Sequence, residues 1–441
     1  MRVPQSRRNL GEKWTKILDS GYAGSTPAEP SRIVFLANDT TYFFRHFVPA
    51  LEAAADVQAD ILALLPEAPD ASTRKRFSGA MNVIRTAHAQ RDNPVWAFAN
   101  TALSLLAILR RVRPDIIVGY SVRSIVLLII AFPWLRAKRY VFVVTGLGTT
   151  DIVDSRKSKF FRSVFYLLIR WINHSAKVWF IFENHSDATR IGIPPHIRTR
   201  HLTVMGAGVD PDEFRPEPKP QHKPLRLAAV GRLVWSKGMD LAAKAVSSLV
   251  DDGYDLSLDI FGRSDPANPL PVAETEVTEW TRTLSGIRYH GHVEDVPRIW
   301  REHHIGIFPT RGGEGLPRVL LEASACGVPT IVTRVPGCED FVRDGVEGFV
   351  VRPNSVEELK LAIKRFIDEP ELIARLGHAS RERVMQTATS KIVKQAYVSI
   401  FRLGAEQTAS HPVTSPEQTA DHHVAASDIM GARRSTMSDL Q

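Results

Sequence analysis

Residues 308–327 read FPTRGGEGLPRVLLEASACG, a short apolar run followed by a glycine-rich turn and a helical pattern. Gly312, Gly313 and Gly315 permit backbone conformations that other residues avoid, and they permit a close approach by a ligand. Pro317 suits the first residue of a helix, and a glycine followed by a proline predicts where that helix ends. We therefore expect a strand, a glycine loop and a helix whose N-terminus can bind an anion.

Two carboxylates belong to this stretch: Glu314 in the turn and Glu322 eight residues later in the predicted helix. A glutamate in the buried part of an amphipathic helix costs stability unless a ligand or a partner side chain satisfies it. One interpretation is structural, with one glutamate capping the helix and the other on its surface. The glycines, the proline and the spacing favour a second interpretation, in which both carboxylates face a ligand.

In this stretch the sequence resembles the retaining family 4 glycosyltransferases of the GT-B fold, whose signature is E-G-x-P-x-x-x-x-E-A-x-A-x-G. The matching residues are Glu314, Gly315, Pro317, Glu322, Ala323, Ala325 and Gly327. The resemblance implies an α/β protein with two doubly wound, Rossmann-like domains that face a cleft. It also implies that Glu322 holds the ribose hydroxyls of a nucleotide sugar, and that Glu314 binds the donor sugar and orients its anomeric carbon.

The composition is that of an ordinary α/β protein: 44% of its 441 residues are hydrophobic. This length suits two domains, since one domain takes roughly 100–200 residues. Two cysteines, Cys326 and Cys338, are too few for a disulfide framework, which favours a reducing cytoplasm. The basic N-terminal segment lacks the apolar run of a secretory signal. The most membrane-like run, 125–132, is far shorter than the ~20 residues that span a bilayer.

Charge is distributed unevenly along the chain. Residues 1–210 contain 28 Lys and Arg against 16 Asp and Glu, a net charge of +12, and the remainder has a net charge of −4. A basic half suits an anionic lipid surface or a lipid-diphosphate acceptor, although it could also be a solubilising excess. Nucleic acid is not expected as a partner, because no zinc spacing, recognition helix or aromatic-interleaved basic motif occurs. We expect a cytoplasmic protein that is peripheral at the inner face of the plasma membrane.

Apolar strand-like runs alternate with helical patterns in both halves of the chain, which predicts parallel sheets covered by helices. The predicted strands are 33–37, 61–65, 116–119, 140–145, 178–182, 225–230, 256–261, 287–290, 305–308 and 330–333, and the alternation ends near Val351. Helical patterns occupy 94–111 and 160–173. The predicted organisation is a flexible leader (1–30), an acceptor-side domain (31–210), a proline-rich hinge (211–224), a nucleotide-sugar domain (225–385), a C-terminal helix (386–404) and a disordered tail (405–441).

Further loops support the nucleotide side. Residues 227–238 read LAAVGRLVWSKG, a strand that ends at Gly231 and continues into a loop with Arg232 and Lys237. Two cations beside a strand end can hold a diphosphate, and relatives with the pattern G-R-L-x-x-x-K-G use them to neutralise the departing nucleotide diphosphate. The same resemblance implies that two later strand-end loops, at 259–263 and 290–296, flank the base of the nucleotide. The donor-binding prediction comprises Glu322, Gly312, Gly313, Gly315, Leu316, Gly231, Gly262, Arg263, His292 and Val293.

No catalytic metal is expected. The one strict Asp-x-Asp, at 210–212, lies in the proline-rich connection and matches a hinge pattern of the family. The cations Arg232 and Lys237 and the helix terminus at Pro317 would stabilise the leaving group instead. The resemblance thus implies a retaining transferase with Glu314, Arg232 and Lys237 as catalytic residues. It would need no cofactor and would take a nucleotide sugar, preferably a UDP-sugar, as co-substrate.

The first half of the chain carries fewer and weaker sequence motifs. The loop T-G-L-G at 145–148 follows a predicted strand; many relatives have a histidine in place of Thr145, whereas some that act on lipid-linked sugars also have T-G-L-G. His46 matches a histidine of that subfamily and could bind acceptor or transfer a proton, although a histidine on an amphipathic helix is more often structural. The stretch F-E-N at 182–184, with Asp187, resembles a family stretch near the hinge and has no assigned role. The acceptor-side prediction comprises Thr145, Gly146, Gly148, His46 and Asn38.

These signals favour a polyprenyl-diphosphate-linked glycan as acceptor, in surface polysaccharide biosynthesis. Two alternatives remain open. A nucleotide-sugar epimerase of similar fold would need further carboxylates and histidines at the cleft. A non-catalytic assembly partner would be expected to have degraded motifs, and the threonine at position 145 is its best support.

Overall fold

The computed structural model describes residues 31–86, 94–146, 148, 155–193, 200–218, 224–266 and 268–402. The predicted leader and tail lie outside these ranges, as do Leu147 and residues 219–223 of the predicted hinge. Two parallel sheets form, one of seven strands and one of six, within one compact unit. A hydrophobic cluster packs on each face of each sheet. This confirms the predicted α/β fold class with two doubly wound sheets.

The first sheet has the strand order β3-β2-β1-β4-β5-β6-β7. Its strands are β1 (Arg32–Leu36), β2 (Asp60–Leu65), β3 (Asn82–Arg85), β4 (Ile116–Tyr120), β5 (Arg139–Val144), β6 (Val178–Phe182) and β7 (His201–Thr203). Its helices are α1 (Thr40–His46), α2 (Val48–Asp56), α3 (Ala71–Arg74), α4 (Pro94–Val112), α5 (Ser121–Ala131), α6 (Arg156–Ile172) and α7 (His185–Ile191). The central strands read as near-continuous apolar runs, IIVGY in β4 and RYVFVV in β5, because helices cover both of their faces.

The second sheet has the order β10-β9-β8-β11-β12-β13. Its strands are β8 (Leu225–Val230), β9 (Leu256–Phe261), β10 (Ile287–Tyr289), β11 (Ile305–Phe308), β12 (Thr330–Thr333) and β13 (Gly348–Val351). Its helices are α8 (Met239–Asp251), α9 (Glu274–Thr283), α10 (Val296–Glu302), α11 (Arg318–Ala325), α12 (Cys338–Phe341), α13 (Val356–Asp368) and α14 (Glu371–Thr387). Strand order reverses between β8 and β11, and in such sheets ligands bind beyond the carboxyl ends of the strands at this reversal.

The last described helix, α15 (Ser390–Arg402), returns to the first sheet. Its apolar residues Val393, Tyr397, Ile400 and Phe401 are buried in the core that α1 and α2 form with β1. The ring centroid of Phe401 lies 6.2 Å from that of Phe35 in β1, in an edge-to-face arrangement. The two sheets are therefore joined both by the proline-rich connection and by this helix.

Each of the ten predicted strands is present, with ends that differ by a residue or less. Three strands were not predicted from the sequence: β13, near the expected end of the alternation, and the two short strands β3 and β7. Both lie at the edges of the first sheet, and their side chains are half-buried or exposed. An edge strand needs no long apolar run, so the pattern that identifies central strands is absent from both.

Asp259 forms a buried polar centre in β9. Its side chain is fully buried and accepts hydrogen bonds from Arg288 at 2.7 and 2.8 Å, from His303 at 2.8 Å and from His290 at 2.5 Å. Burial alone would raise the pKa of Asp259, but the bonds from Arg288, His303 and His290 outweigh it and hold the pKa far below its usual range. Strands β9 and β10 and the residues before β11 are tied together at this carboxylate.

Replacing Asp259→Ala removes the shared acceptor and leaves the buried donor of His303 unpaired, so we expect a loss of about 1–3 kcal/mol in the free energy of unfolding. Urea unfolding followed by circular dichroism measures it. Asp252→Ala, at an exposed carboxylate 3.8 Å from Lys360, is the matched control and should change stability by less than about 0.5 kcal/mol. Equal urea midpoints for the two variants would refute the role of the buried carboxylate.

The same carboxylate gives a pH dependence. Because the folded-state pKa of Asp259 lies below the unfolded value of about 3.9, its stabilisation is present above that value and is lost as pH falls toward the folded pKa. The difference in unfolding free energy between wild type and Asp259→Ala should therefore shrink on acidification below about pH 4. A difference that stays constant down to acid unfolding would contradict this.

Candidate active site

The glycine-rich stretch folds as β11, a loop and α11, as the sequence predicts. Gly312 (φ 119°) and Gly313 (φ 82°) use backbone conformations that favour glycine. Gly315 does not, and here the expectation needs correction: a Cβ at Gly315 would lie 2.4 Å from the carboxylate of Glu183 in the first domain. Pro317 was expected to be the first residue of the helix. It is instead the N-cap, and α11 starts at the next residue. The group that closely approaches Gly315 in this structure is therefore the side chain of Glu183.

Lys237 and Glu314 meet at the carboxyl ends of β8 and β11. Lys237 ends a 3₁₀ turn (Trp235–Lys237), and its Nζ lies 2.5 Å from Glu314 Oε1, with side chains only 15% and 20% exposed. Both side chains and Pro317 line one cavity together with the last residues of the two strands. The predicted cation and the predicted sugar-binding carboxylate therefore occupy one site.

Arg311 fixes the position of the lysine turn relative to the glycine loop. Its guanidinium donates to both carboxylate oxygens of Asp240 at 2.9 Å and lies 4.3 Å above the centre of the Trp235 ring. Its backbone N–H donates to the carbonyl of Ser236 at 2.7 Å. A paired, planar bidentate contact of this kind sets orientation as well as distance. Arg311 was not predicted as a site residue, because its partner Asp240 lies 71 positions away.

Glu322 is buried in α11, where Arg318 Nε donates to its Oε1 at 2.8 Å. Burial raises the pKa of Glu322, and the Arg318 guanidinium opposes this shift. The buried glutamate thus has a protein partner one helical turn earlier, as an i,i+4 pair. Arg45 of α1, in the first domain, also acts on this carboxylate, so the charge of Glu322 is felt across the cleft.

Arg232 has a different partner from Lys237. It is 58% exposed, and its Nη1 lies 2.6 Å from Asp265 Oδ2, so it pairs outside the Lys237–Glu314 contact. Gly231, just before it, has a φ of 154°, and a Cβ there would lie 3.6 Å from the Lys237 side chain. The structure therefore brings Gly231, Lys237 and Glu314 together, while Arg232 lies at the periphery.

The strand-end loops predicted to flank the base lie beside one another. The N–H of Gly262 donates to the carbonyl of Gly291 at 2.7 Å, and a Cβ at Gly262 would lie 1.8 Å from the carbonyl oxygen of Gly231. His292 is exposed, and burial together with Arg263 and Arg45 lowers its pKa. Arg263 and His292 therefore face the first domain at Arg45. Val293, in the same loop, packs partly into the core around α11.

Two backbone hydrogen bonds join the loops of the two domains; we call them the loop clasp. Gly148 N–H donates to the carbonyl of Gly313 at 2.9 Å, and Gly315 N–H donates to the carbonyl of Thr145 at 3.1 Å. A Cβ at Gly146 would lie 2.5 Å from the carbonyl carbon of Glu314. The predicted acceptor-side loop thus contacts the predicted donor loop through backbone atoms.

Residues just after β6, whose role the sequence left open, strengthen this contact. The side chain of Asn184 donates to the carbonyl of Gly315 at 2.9 Å, and the Glu183 carboxyl accepts from the N–H of Leu316. Ser186, in the first turn of α7, donates to both oxygens of Asp340 at 2.9 and 3.0 Å. Three residues of the second domain, Gly315, Leu316 and Asp340, are therefore held by residues of the first domain.

Tyr42 and His46 lie on α1 beside Thr145. The Tyr42 hydroxyl bonds to the side chain of Thr145, and its ring stacks on His46 with centroids 3.9 Å apart. Nδ1 of His46 lies 3.1 Å from the Tyr42 carbonyl and therefore carries the proton. Burial, with help from Arg318, lowers the pKa of His46 to about 3, so the imidazole is neutral near pH 7.

Arg45, on the same helix, is a further residue at the cleft that the sequence analysis did not identify as a site residue. Burial lowers its pKa, and Arg76, Arg263 and Arg318 act in the same direction. This grouping of cations across the cleft is suited to an anion. Asn38, by contrast, accepts a hydrogen bond from Ser121 at the start of α5 at 2.9 Å and has a structural contact at the strand end.

Within the described ranges, no three His, Cys, Asp or Glu side chains form a group that could hold a metal ion. Metal independence and the absence of a cofactor remain predictions.

Glu183 gives a test of the domain junction. Burial raises its pKa to about 8, so the folded protein binds a proton that the unfolded chain releases near pH 4.5. The stability contributed by the protonated form is complete below about pH 4.5 and is lost as pH rises toward about 8. Between these values, wild type should lose stability relative to Glu183→Gln, which keeps the acceptor for Leu316 but cannot ionise.

Thermal unfolding of both proteins from pH 5 to about pH 8.5 measures this difference. Glu382→Gln, at an exposed carboxylate, is the control and should reproduce the wild-type pH profile. Parallel profiles for wild type and Glu183→Gln would show that Glu183 is ionised in the folded protein.

Comparison with known proteins finds a family match for the second domain. Residues 224–369 match the family model described as glycosyl transferases group 1. The capsular polysaccharide biosynthesis glycosyltransferase CapM of Staphylococcus aureus is 28% identical over 172 residues, which cover 39% of this chain and 44% of CapM. The aligned part of this chain therefore covers less than half the length of CapM.

Two further comparisons extend over both domains. The N,N'-diacetylbacillosaminyl-diphospho-undecaprenol alpha-1,3-N-acetylgalactosaminyltransferase of Campylobacter jejuni is 21% identical over 383 residues, covering 84% of this chain and 98% of that protein. The crystal structure of HepE from Anabaena, in complex with UDP and glucose, aligns with a TM-score of 0.66 at 15% identity, covering 84% and 99% of the two chains. The chain has the GT-B fold, and its residues 224–369 match the model of the glycosyl transferases group 1 family.

Proposed function

We propose that the protein is a retaining, metal-independent glycosyltransferase that moves a sugar from a nucleotide diphosphate sugar to a glycan acceptor. The observation that carries the proposal is the contact of Lys237 with Glu314 at the carboxyl ends of β8 and β11, opposite the Thr145–Gly148 loop. A cation for the diphosphate and a carboxylate for the sugar lie side by side in a cleft that both domains close.

The donor is held by residues of the second domain. Lys237 binds the diphosphate together with the N-terminus of α11, and Arg232 reaches it from the rim of the cleft by leaving Asp265. Glu322, oriented by Arg318, accepts the ribose hydroxyls. Glu314 binds hydroxyls of the donor sugar and orients its anomeric carbon.

The reaction proceeds by substitution on one face of the sugar. The bond from the anomeric carbon to the phosphate oxygen breaks, the acceptor oxygen bonds to the same face, and the acceptor proton passes to the departing phosphate oxygen. Lys237 stabilises the negative charge that develops on the diphosphate. Glu183 does not serve as a nucleophile near neutral pH, because burial raises its pKa to about 8 and keeps it protonated. No cofactor takes part, and the nucleotide sugar is a co-substrate.

The donor and acceptor are proposed from the relatives and from charge. HepE, whose crystal contains UDP and glucose, favours a UDP-sugar. The Campylobacter relative, named for a diphospho-undecaprenol substrate, favours a polyprenyl-diphosphate acceptor, and CapM favours surface polysaccharide biosynthesis. The cations around Arg45 support an anionic substrate at the cleft. We place the protein in the cytoplasm at the inner face of the plasma membrane; nucleic acid has no part in this function.

A thermal-shift panel of UDP-, GDP- and ADP-sugars identifies the donor. A ligand at one hundred times its dissociation constant stabilises the native state by about 2.7 kcal/mol, so the cognate donor should raise the melting temperature clearly above the others. Incubation of that donor alone, followed by chromatography, separates transfer from epimerisation, because an epimerase converts donor without acceptor. A converted donor in this control would refute the transferase proposal.

With that donor and a soluble acceptor, Glu314→Gln and Lys237→Ala should each lower kcat/KM by about 100- to 1,000-fold, since each removes a charge from the reacting groups. Glu382→Gln, outside the cleft, should keep wild-type activity. Circular dichroism confirms that the variants remain folded. Folded variants that transfer sugar at the wild-type rate would exclude both residues from the reaction.

A further inference from the structure

Helix α6 has two apolar stripes. Phe165, Ile169 and Ile172 face the core of the first domain and are buried. A second set recurs at the spacing i, i+4, i+7 and i+11, which places it on one helical face directed away from that core. We call this set the exposed stripe: Phe160, Val164, Leu167 and Trp171.

The exposed stripe is unusual for a protein surface. Phe160 is 65% exposed and Leu167 is 67% exposed, and Phe161 lies next to Phe160 with ring centroids 6.0 Å apart. Scattered apolar residues are normal on surfaces, but a contiguous row marks an interaction site. The neighbouring helices of the same layer add Trp96, Leu103, Ile130 and Trp134, each also exposed.

The charged residues within α6 and the two adjacent helices all have one sign. Helix α6 carries five cations and no carboxylate in the sequence RKSKFFRSVFYLLIRWI. The adjacent α4 and α5 also lack Asp and Glu and add three arginines. With 3.6 residues per turn, Arg156 and Lys157 lie on either side of the stripe at its start, and Arg170 flanks it near its end. Aromatic rings bordered by Lys and Arg are the pattern of a helix that lies in a membrane interface.

We infer that the exposed stripe of α6 docks this protein on an anionic phospholipid bilayer, with the helix axis parallel to the membrane plane. The apolar side chains enter the acyl boundary, and the flanking cations contact lipid phosphates. Among the helices in the described ranges, none is long and apolar enough to cross a membrane, so the association is at the surface. A second copy of this chain fits the face less well, because two such faces would bring the cations that flank the stripe, Arg156, Lys157 and Arg170, against one another.

Topology places this face beside the candidate site. Strands β5 and β6 are parallel, so α6 runs back along the sheet from the edge where β5 ends. The Thr145–Gly148 loop leaves β5 at that same edge, and it contacts the donor loop. The docked face therefore brings a lipid-linked acceptor to the cleft. The acceptor depends on the proposed function, whereas the docking does not.

Co-sedimentation of the full chain with vesicles tests the docking without donor or acceptor. Wild type should bind vesicles of equal parts phosphatidylglycerol and phosphatidylcholine at least about ten-fold more than pure phosphatidylcholine vesicles, and salt should weaken the binding. Phe160→Ser with Leu167→Ser should lose about ten-fold of this binding. The matched control, Leu361→Ser with Met385→Ser, alters two other exposed apolar residues and should bind as wild type does.

Because the altered side chains are largely exposed, the melting temperature should change little, and it is measured alongside. Lys157→Glu with Arg170→Glu should abolish the preference for anionic vesicles. Wild-type binding by the Phe160 and Leu167 double variant, or equal binding of wild type to both vesicle types, overturns the inference. A wild type that ignores vesicles and sediments as a dimer that the double variant lacks also overturns it, in favour of self-association. Transfer to a soluble acceptor is assayed separately, so either proposal can fail alone.

Discussion

The loop clasp is the constraint on which the candidate site depends. Its two hydrogen bonds connect the loop after β5 to the loop after β11 through backbone atoms alone. Backbone contact at this distance leaves no room for side chains, which explains why Gly146 and Gly315 face each other: a Cβ on either would lie within 3 Å of the opposite domain. Side chains of Asn184 and Ser186 then tie the same region from the first domain.

The clasp determines what the glutamate between its two bonds can reach. Glu314 lies between Gly313 and Gly315, both held by the first domain, so its side chain is directed to Lys237 at 2.5 Å. Arg311 holds the lysine turn from the other side through Asp240. Catalysis of group transfer requires positioning of this kind, because reacting groups gain most from fixed distance and orientation.

Sequence patterns predicted the central strands well, because such strands are encoded locally; the roles of the second-domain residues stay a prediction. Near-continuous apolar runs, separated by helical patterns, identify strands buried on two faces. The eight-residue spacing of Glu314 and Glu322 predicts one loop and one helix. The contacts of Asn184 with Gly315 could not be predicted, since 131 residues separate them and only tertiary structure joins them. Gly315 was explained by a ligand, whereas its actual neighbour is Glu183. The Arg318–Glu322 pair, at i,i+4, was within reach of helical periodicity.

We propose that the clasped loops complete a site for a nucleoside diphosphate. Isothermal titration calorimetry of UDP, GDP and ADP into wild type and Gly315→Val tests it most directly. We expect one of the three to bind wild type at one site per chain. Gly315→Val, with its melting transition retained, should bind it at least about ten-fold more weakly, because the added side chain forces the loops apart. Equal affinity in the two proteins, or no binding of any of the three to wild type, would contradict it.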